Sequence, residues 1–235
     1  MRTTKTTPAS SSADTVTLPI GWECLTDEHL SYICTLSASG QFAAEEVKTH
    51  FLLRLAQAQG VHRERIDALA AADAVSALDW MDNMPPAPVR LSSIEGCHPV
   101  DSMLNGVPFR QYLALENYYQ GYLLTQDSAA LDAIGGILYP DVPRALTAAE
   151  RYSLLLWMVG LRSQYAQLFP DLFRSSACEM GDTDQREIMN AEIRALTGGD
   201  ITNIEAVLNA NTLDALTELD AKAREARELD EKMKR

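Results

Sequence analysis

The residues in this chain that could do chemistry are few and scattered. Its histidines are His29, His50, His62 and His98. None stands in H-x-x-x-H or H-E-x-x-H, the spacings that set two imidazoles on one helix face for zinc. The cysteines are Cys24, Cys34, Cys97 and Cys178; no C-x-x-C pair exists, and Cys97-His98 is the one adjacent pair of soft ligands. A structural zinc ion needs a full tetrahedral ligand set, which two sequence neighbours cannot supply. The pair reads as ordinary loop residues, and no metal site is assigned. The patterns G-x-S-x-G, G-x-x-x-x-G-K-[ST] and G-x-G-x-x-G are all missing. No nucleophile elbow, phosphate cradle or dinucleotide turn is therefore expected. Gly135-Gly136 and Gly198-Gly199 lack the flanking strand or lysine of a phosphate site and read as helix terminators. Glu45-Glu46 sits at a helix start, where the dipole favours acids without any catalytic reason. No catalytic residue and no cofactor is assigned, and the chain reads as a non-enzyme.

Two clusters could bind rather than react. Tyr112, Tyr118, Tyr119 and Tyr122 could stack bases, yet no lysine accompanies them and only Arg110 is close. They read as helical core or as a protein-contact patch, because tyrosine joins a large apolar body to a polar tip. The second cluster is His62, Arg63 and Arg65, which would open the reading helix of a helix-turn-helix-like segment near 43–72. Glu45, Glu46 and Glu64 flank it and oppose a phosphate backbone.

The element that must organise the rest is Thr147 to Phe169. Thr147 and Glu150 have the S/T-x-x-E spacing of a capping box. Pro170 ends the pattern, since it lacks a donor and disfavours helix at the residue before it. Between them Leu154, Leu155, Leu156, Trp157, Met158, Val159 and Leu161 cover every side. A helix apolar all round is a core element or a membrane span. This run is far short of a span and is bracketed by Arg151 and Arg162, so a central helix sheathed by others is expected.

The flanking chain reads as further helices. Thr26 or Asp27 caps the first, closed by Gly40. The second runs from about Ala43 to Gln59, with Val47, Phe51, Leu52 and Leu55 on its apolar face, and Gly60 closes it. An Ala-rich helix follows from about His62 to Trp80. Others run from Phe109 to Thr125, from Asp127 to Leu138, and from Thr183 to Leu196, with residues 170–182 as a connector. Thr202 and Glu205 repeat the capping-box spacing. The last helix, Thr212 to Met233, carries favourable i,i+4 pairs at Glu218–Lys222, Asp220–Arg224 and Glu228–Lys232. The fold class is all-α, a multi-helix bundle around the central helix. Residues 1–17 read as a flexible tail and 18–84 as an N-terminal helical subdomain. Residues 85–107 read as a Pro/Gly-rich connector, either a short hairpin with Val89-Arg-Leu91 as its strand or a long loop. Residues 108–235 read as a C-terminal helical subdomain.

The net charge of −13 opposes non-specific nucleic acid binding and attraction to an anionic membrane. No apolar run follows Arg2 and Lys5, so no signal peptide is expected, and the sparse cysteines fit a reduced, cytoplasmic setting. Several strings together resemble uncharacterised all-helical proteins encoded in prophages of gut bacteria. They are Leu25-Thr-Asp-Glu28, Ala43 to Lys48, Asn117 to Leu123, Ile137-Leu-Tyr-Pro140 and Ile193 to Asp200. The resemblance covers the chain from about Leu18 onward. It implies a tail assembly chaperone or tail-module structural protein that binds another protein, possible phage tail component included. The alternative expectation is a DNA-associated regulator using the segment near 43–72.

Overall fold

A computed structural model describes residues 4–7, 16–62, 68–176 and 185–234. In chain order these form strands β1 (Thr4–Thr7) and β2 (Val16–Pro19) and helices α1 (Asp27–Ala38), α2 (Ala44–Ala58) and α3 (Ala68–Ser76). Then come α4 (Phe109–Thr125), α5 (Ser128–Leu138), α6 (Ala148–Leu168), α7 (Pro170–Ser176), α8 (Gln185–Thr197), α9 (Ile204–Leu208) and α10 (Thr212–Met233). The fold is all-α. Among the described residues no helix is long and apolar enough to cross a membrane.

The start of α6 follows directly from its cap. Thr147 Oγ1 accepts from the Glu150 N–H at 3.2 Å, and Glu150 Oε2 accepts from the Thr147 N–H at 2.7 Å. Arg144 grips the same carboxylate at 2.8 and 2.9 Å and, with the Thr147 bonds, draws it down to about 2. Around the helix, Leu154, Leu156, Trp157, Met158, Leu161 and Tyr165 are buried, and Leu155 and Val159 are half-buried. Each fully buried side chain of this size stabilises by about 1.5–3 kcal/mol. Helices α1, α5 and α7 pack against α6. On another side the Pro-rich segment comes so close that a Cβ on Gly160 would lie 2.1 Å from the Ala87 carbonyl oxygen.

Pro170 ends α6, but it also starts α7, where a connector was expected. Proline suits a first helical turn because its missing N–H would have no partner there. The next two N–H groups, of Asp171 and Leu172, donate to Asp220 Oδ1 of α10 at 2.8 and 3.0 Å. Asp220 is thus a cap supplied from another helix, not the partner of Arg224 that its spacing suggested. The rest of the expected connector, 177–184, lies outside the described residues.

Other expectations change for equally local reasons. Gly135-Gly136 lies inside α5 and does not end it. Gly135 sits where α5 meets Leu146 and Leu154, and a Cβ there would be 2.3 Å from Leu146 Cδ1. Gly198-Gly199 does terminate α8, with φ of 61° and 85°. The turn before α9 is capped by Asp200, which accepts from the Thr202 N–H at 2.9 Å, while Glu205 binds Arg110 and makes no capping box. The expected tail is in part a strand, since Thr4–Thr7 pairs antiparallel with Val16–Pro19. Residues 1–3 and 8–15 lie outside the described residues.

Residues 85–107 form a long ordered loop. Val89-Arg-Leu91 is not a strand, and the hairpin is a single bridge, Ile94 with Cys97, across Glu95 and Gly96 at positive φ. The loop runs over the core, burying Leu91, Ile94, Leu104 and Val107. Its carbonyls accept from aromatic tips below: Tyr139 Oη to Leu91 (2.6 Å), Trp157 Nε1 to Ser102 (3.1 Å) and Tyr165 Oη to Met103 (2.7 Å). Buried aromatics with a polar tip need such partners, and a buried loop needs donors.

Two apolar clusters result. The larger joins α4, α5, α6, the loop and the first half of α10. The smaller holds Leu18, Val47, Phe51, Leu52, Leu55, Ala74 and Leu78. Helix α1 belongs to both: Leu30 and Cys34 enter the larger cluster and Ile33 the smaller. The division expected at residue 84 therefore does not separate α1 from α6.

Candidate functional site

The four tyrosines do not act together. Tyr112 and Tyr119 are seven positions apart, two turns, and share the inward face of α4. They are 3% and 8% exposed. Tyr112 stacks on Phe109 at 5.8 Å and meets Tyr165 edge-on at 5.9 Å. Both are core residues, so of the two expected readings the helical core holds for these two, and they are too buried to belong to a contact patch. Tyr122 is half-buried against the core, and Tyr118 alone of the four is exposed.

Cys97 and His98 turn apart: Cys97 Sγ donates to the Asp141 carbonyl and His98 Nδ1 meets the Ser92 carbonyl at 3.0 Å. Of the expected reading segment, Arg63 and Arg65 lie outside the described residues. His62 is exposed just beyond the end of α2.

Three constellations emerge that motif reading did not find. The first is Lys48 on α2, with only 1% of its side chain exposed. Its Nζ donates to Glu45 at 2.8 Å, Asp79 at 2.8 Å and Asp82 at 2.5 Å. Burial alone would lower the lysine, but the bonds from Asp79, Asp82 and Glu45 outweigh it and hold the ammonium above its ordinary range. A permanently charged, triply bonded amine is neither nucleophile nor base. The three carboxylates have metal-like spacing, but the ammonium among them already supplies the cation. Beside this cluster lies a cleft of about 120 Å³, lined by Trp22, Ile33, Met81, Met84 and Tyr152. Its lining is more apolar than polar, with Ser37, Asp82 and Asn83 as its polar members.

The second constellation sits where α4 and α6 meet beside α8. Glu116 is 6% exposed, and its Oε2 accepts from Arg162 Nη1. Its Oε1 is buried without a partner. The Arg162 guanidinium lies 5.4 Å from the Tyr119 ring centre. Burial raises the Glu116 carboxyl, and Arg162 opposes that rise. On α8, burial, and then the charge of Glu116, push Glu192 up to about 7. The sequence signal for Lys48, Glu116 and Glu192 is a charge inside an apolar stripe, such as Glu192 between Met189, Ile193 and Leu196.

The third is the outer half of α10. Thr212, Ala215, Leu216, Leu219 and Asp220 are buried. From Arg224 to Lys234 every residue but the half-buried Arg227 is exposed. Arg227 pairs with Asp171. Leu229 is 59% and Met233 72% exposed, and Ala226 precedes them on the same stripe. Residues 222–235 carry six basic and four acidic side chains in a chain of net charge −13. This segment differs in charge from the body that bears it.

No family model, curated protein or solved structure matches the chain.

Proposed function

We propose that this protein is a non-enzymatic binding protein that holds a helical partner against the outer half of α10. One observation carries the reading: three turns of amphipathic helix leave the body with Ala226, Leu229 and Met233 uncovered. A helix of that length is marginal in water without tertiary packing, and its apolar stripe gains stability only when covered. The flanking charges of both signs suit a coiled-coil-like seam with a second helix. The locked Lys48 and the enclosed Glu116 support a structural rather than a catalytic use of the buried charges. The resemblance to prophage-encoded helical proteins supplies the partner class, a phage tail component. This chain would then act in the cytoplasm as an assembly chaperone or as a structural part of the tail module.

The test is co-expression with phage tail-tube and tape-measure proteins. The full chain is expected to co-purify with one of them, and Leu229→Glu with Met233→Glu to weaken that complex at least tenfold. A clean monomer that ignores every tail component would overturn the reading, as would a complex indifferent to both substitutions. A salt-dependent DNA gel shift lost on Arg63→Ala with Arg65→Ala would favour the DNA-associated alternative.

A further inference from the structure

Helix α10 changes character along its length. Its first half carries the buried Ala215, Leu216, Leu219 and Asp220, and beyond Ala223 all the described residues but Arg227 are exposed. Leu219, Lys222, Ala226, Leu229 and Met233 recur at alternating threes and fours, the a and d spacing of a seam between two helices. Arg227, which meets Asp171 of α7, lies about 160° around the helix from Leu229, so α7 leaves this stripe uncovered. Beside the stripe, Glu225 and Lys232 fall at the flanking g positions, and Ala223 and Asp230 at the e positions. Asp230 is bound by Lys234 one turn on, whereas neither Glu225 nor Lys232 has an ion-pair partner among the described residues.

This pattern complements itself in one direction only. Parallel copies in register would set Lys222 against Lys222 in the seam and Glu225 against Asp230 beside it, like charges at both places. Antiparallel copies, crossing between residues 227 and 228, set Ala226 against Leu229 and Lys222 against Met233, each twice. Small then meets large, and the Lys222 stem lies over Met233 while its amine stays with Glu218 at 3.1 Å. The flanking positions pair Glu225 with Lys232, again twice, and Asp230 with the neutral Ala223. The longer-range charge agrees. Residues 222–235 carry a net +2, six basic side chains against four acidic, so residues 1–221 carry −15 of the total −13. An antiparallel neighbour points the basic tip of each copy, with Lys232 and Lys234, toward the acidic body of the other.

We propose that, without its helical partner, this chain forms an antiparallel homodimer in which the outer halves of two α10 helices cover each other's stripe. The proposal rests on the reading of α10 as a partner-binding helix and names what occupies that helix at rest. The seam spans only about two heptads, with Lys222 and Ala226 among its core positions, so the dimer is weak and concentration-dependent. A longer or more apolar helix competes for the same residues and releases the second copy. Self-cover thus keeps Leu229 and Met233 out of water until that partner arrives.

Sedimentation equilibrium of the full chain alone, over roughly 1–200 µM, tests it. A monomer–dimer equilibrium is expected, with Leu229→Glu plus Met233→Glu monomeric throughout. Glu225→Lys sets like charge against Lys232 of the second copy at two places and is expected to weaken the dimer by on the order of tenfold. Adding Lys232→Glu is expected to restore it. All four side chains are exposed, so none of these variants disturbs the core. A chain that stays monomeric would overturn the proposal, as would a dimer indifferent to Leu229→Glu plus Met233→Glu. A dimer that Glu225→Lys tightens is parallel and refutes it, and so does a double swap no better than Glu225→Lys alone. Failure here is separable from failure of the partner reading. A monomer that still captures a tail protein sinks only the self-cover, and a dimer that no tail protein opens sinks only the partner.

Discussion

A methyl group added at position 160 has nowhere to go. Its carbon would lie 2.1 Å from the Ala87 oxygen and 2.5 Å from the Ala87 carbonyl carbon, both backbone atoms. Backbone cannot swing aside as a side chain can, so either α6 or the Pro-rich segment must shift. Gly160→Ala is expected to destabilise by about 3 kcal/mol, despite alanine being the better helix former. Gly136 is the control: it is exposed within α5, and an added Cβ meets nothing within 4 Å. Gly136→Ala is expected to stabilise by about 0.5–1 kcal/mol. Urea midpoints of the two variants should therefore move in opposite directions. The sequence cannot tell these glycines apart, because the difference lies in what crosses over each one.

At the scale of the element, α7 depends on α10. Its first N–H groups find no acceptor on Phe169 and are satisfied by Asp220, buried within another helix. Asp220→Ala leaves those donors short and is expected to cost about 1–2 kcal/mol. Thr147→Ala, which removes a local cap of the ordinary kind, should cost about 1 kcal/mol. Thermal unfolding of both variants checks the ranking. The pair also marks what the sequence reveals. Caps within a few residues are legible: Thr26, Thr147 and Asp127 each accept at the start of the helix they precede. So are apolar stripes, and the central helix stands where its capping box and Pro170 put it. Long-range partners were not legible. Asp220 looked like half of an i,i+4 ion pair, and Lys48, Glu116 and Glu192 matched no motif. The loop at 85–107 was ambiguous because its hydrogen bonds go to Tyr139, Trp157 and Tyr165, far along the chain.

At the scale of the whole molecule, the question is whether the part before residue 84 folds for itself. Its cluster around Phe51 is small, and α1 contributes to it only through Ile33 and its half-buried neighbours. The opposite side of α1, with Leu30 and Cys34, is part of the core built on α6. Trp22 and Trp80 meet edge-on at 5.2 Å, and Trp22 belongs to the larger cluster while Trp80 borders both. Losing α1 would strip one side of α6, where Tyr152 and Leu156 line a cleft with Ile33 and Ser37 of α1. The two clusters should therefore unfold as one cooperative unit. Phe51→Ala removes a fully buried ring from the smaller cluster and is expected to cost about 3–5 kcal/mol. If α1 couples the clusters, hydrogen exchange will show α6 amides losing protection by the same free energy as α2 amides, because both exchange through the same global opening. Were the two parts separate, α2 would lose protection while α6 kept all of its own. That outcome would return the boundary to residue 84 and reduce α1 from a shared wall to a surface helix.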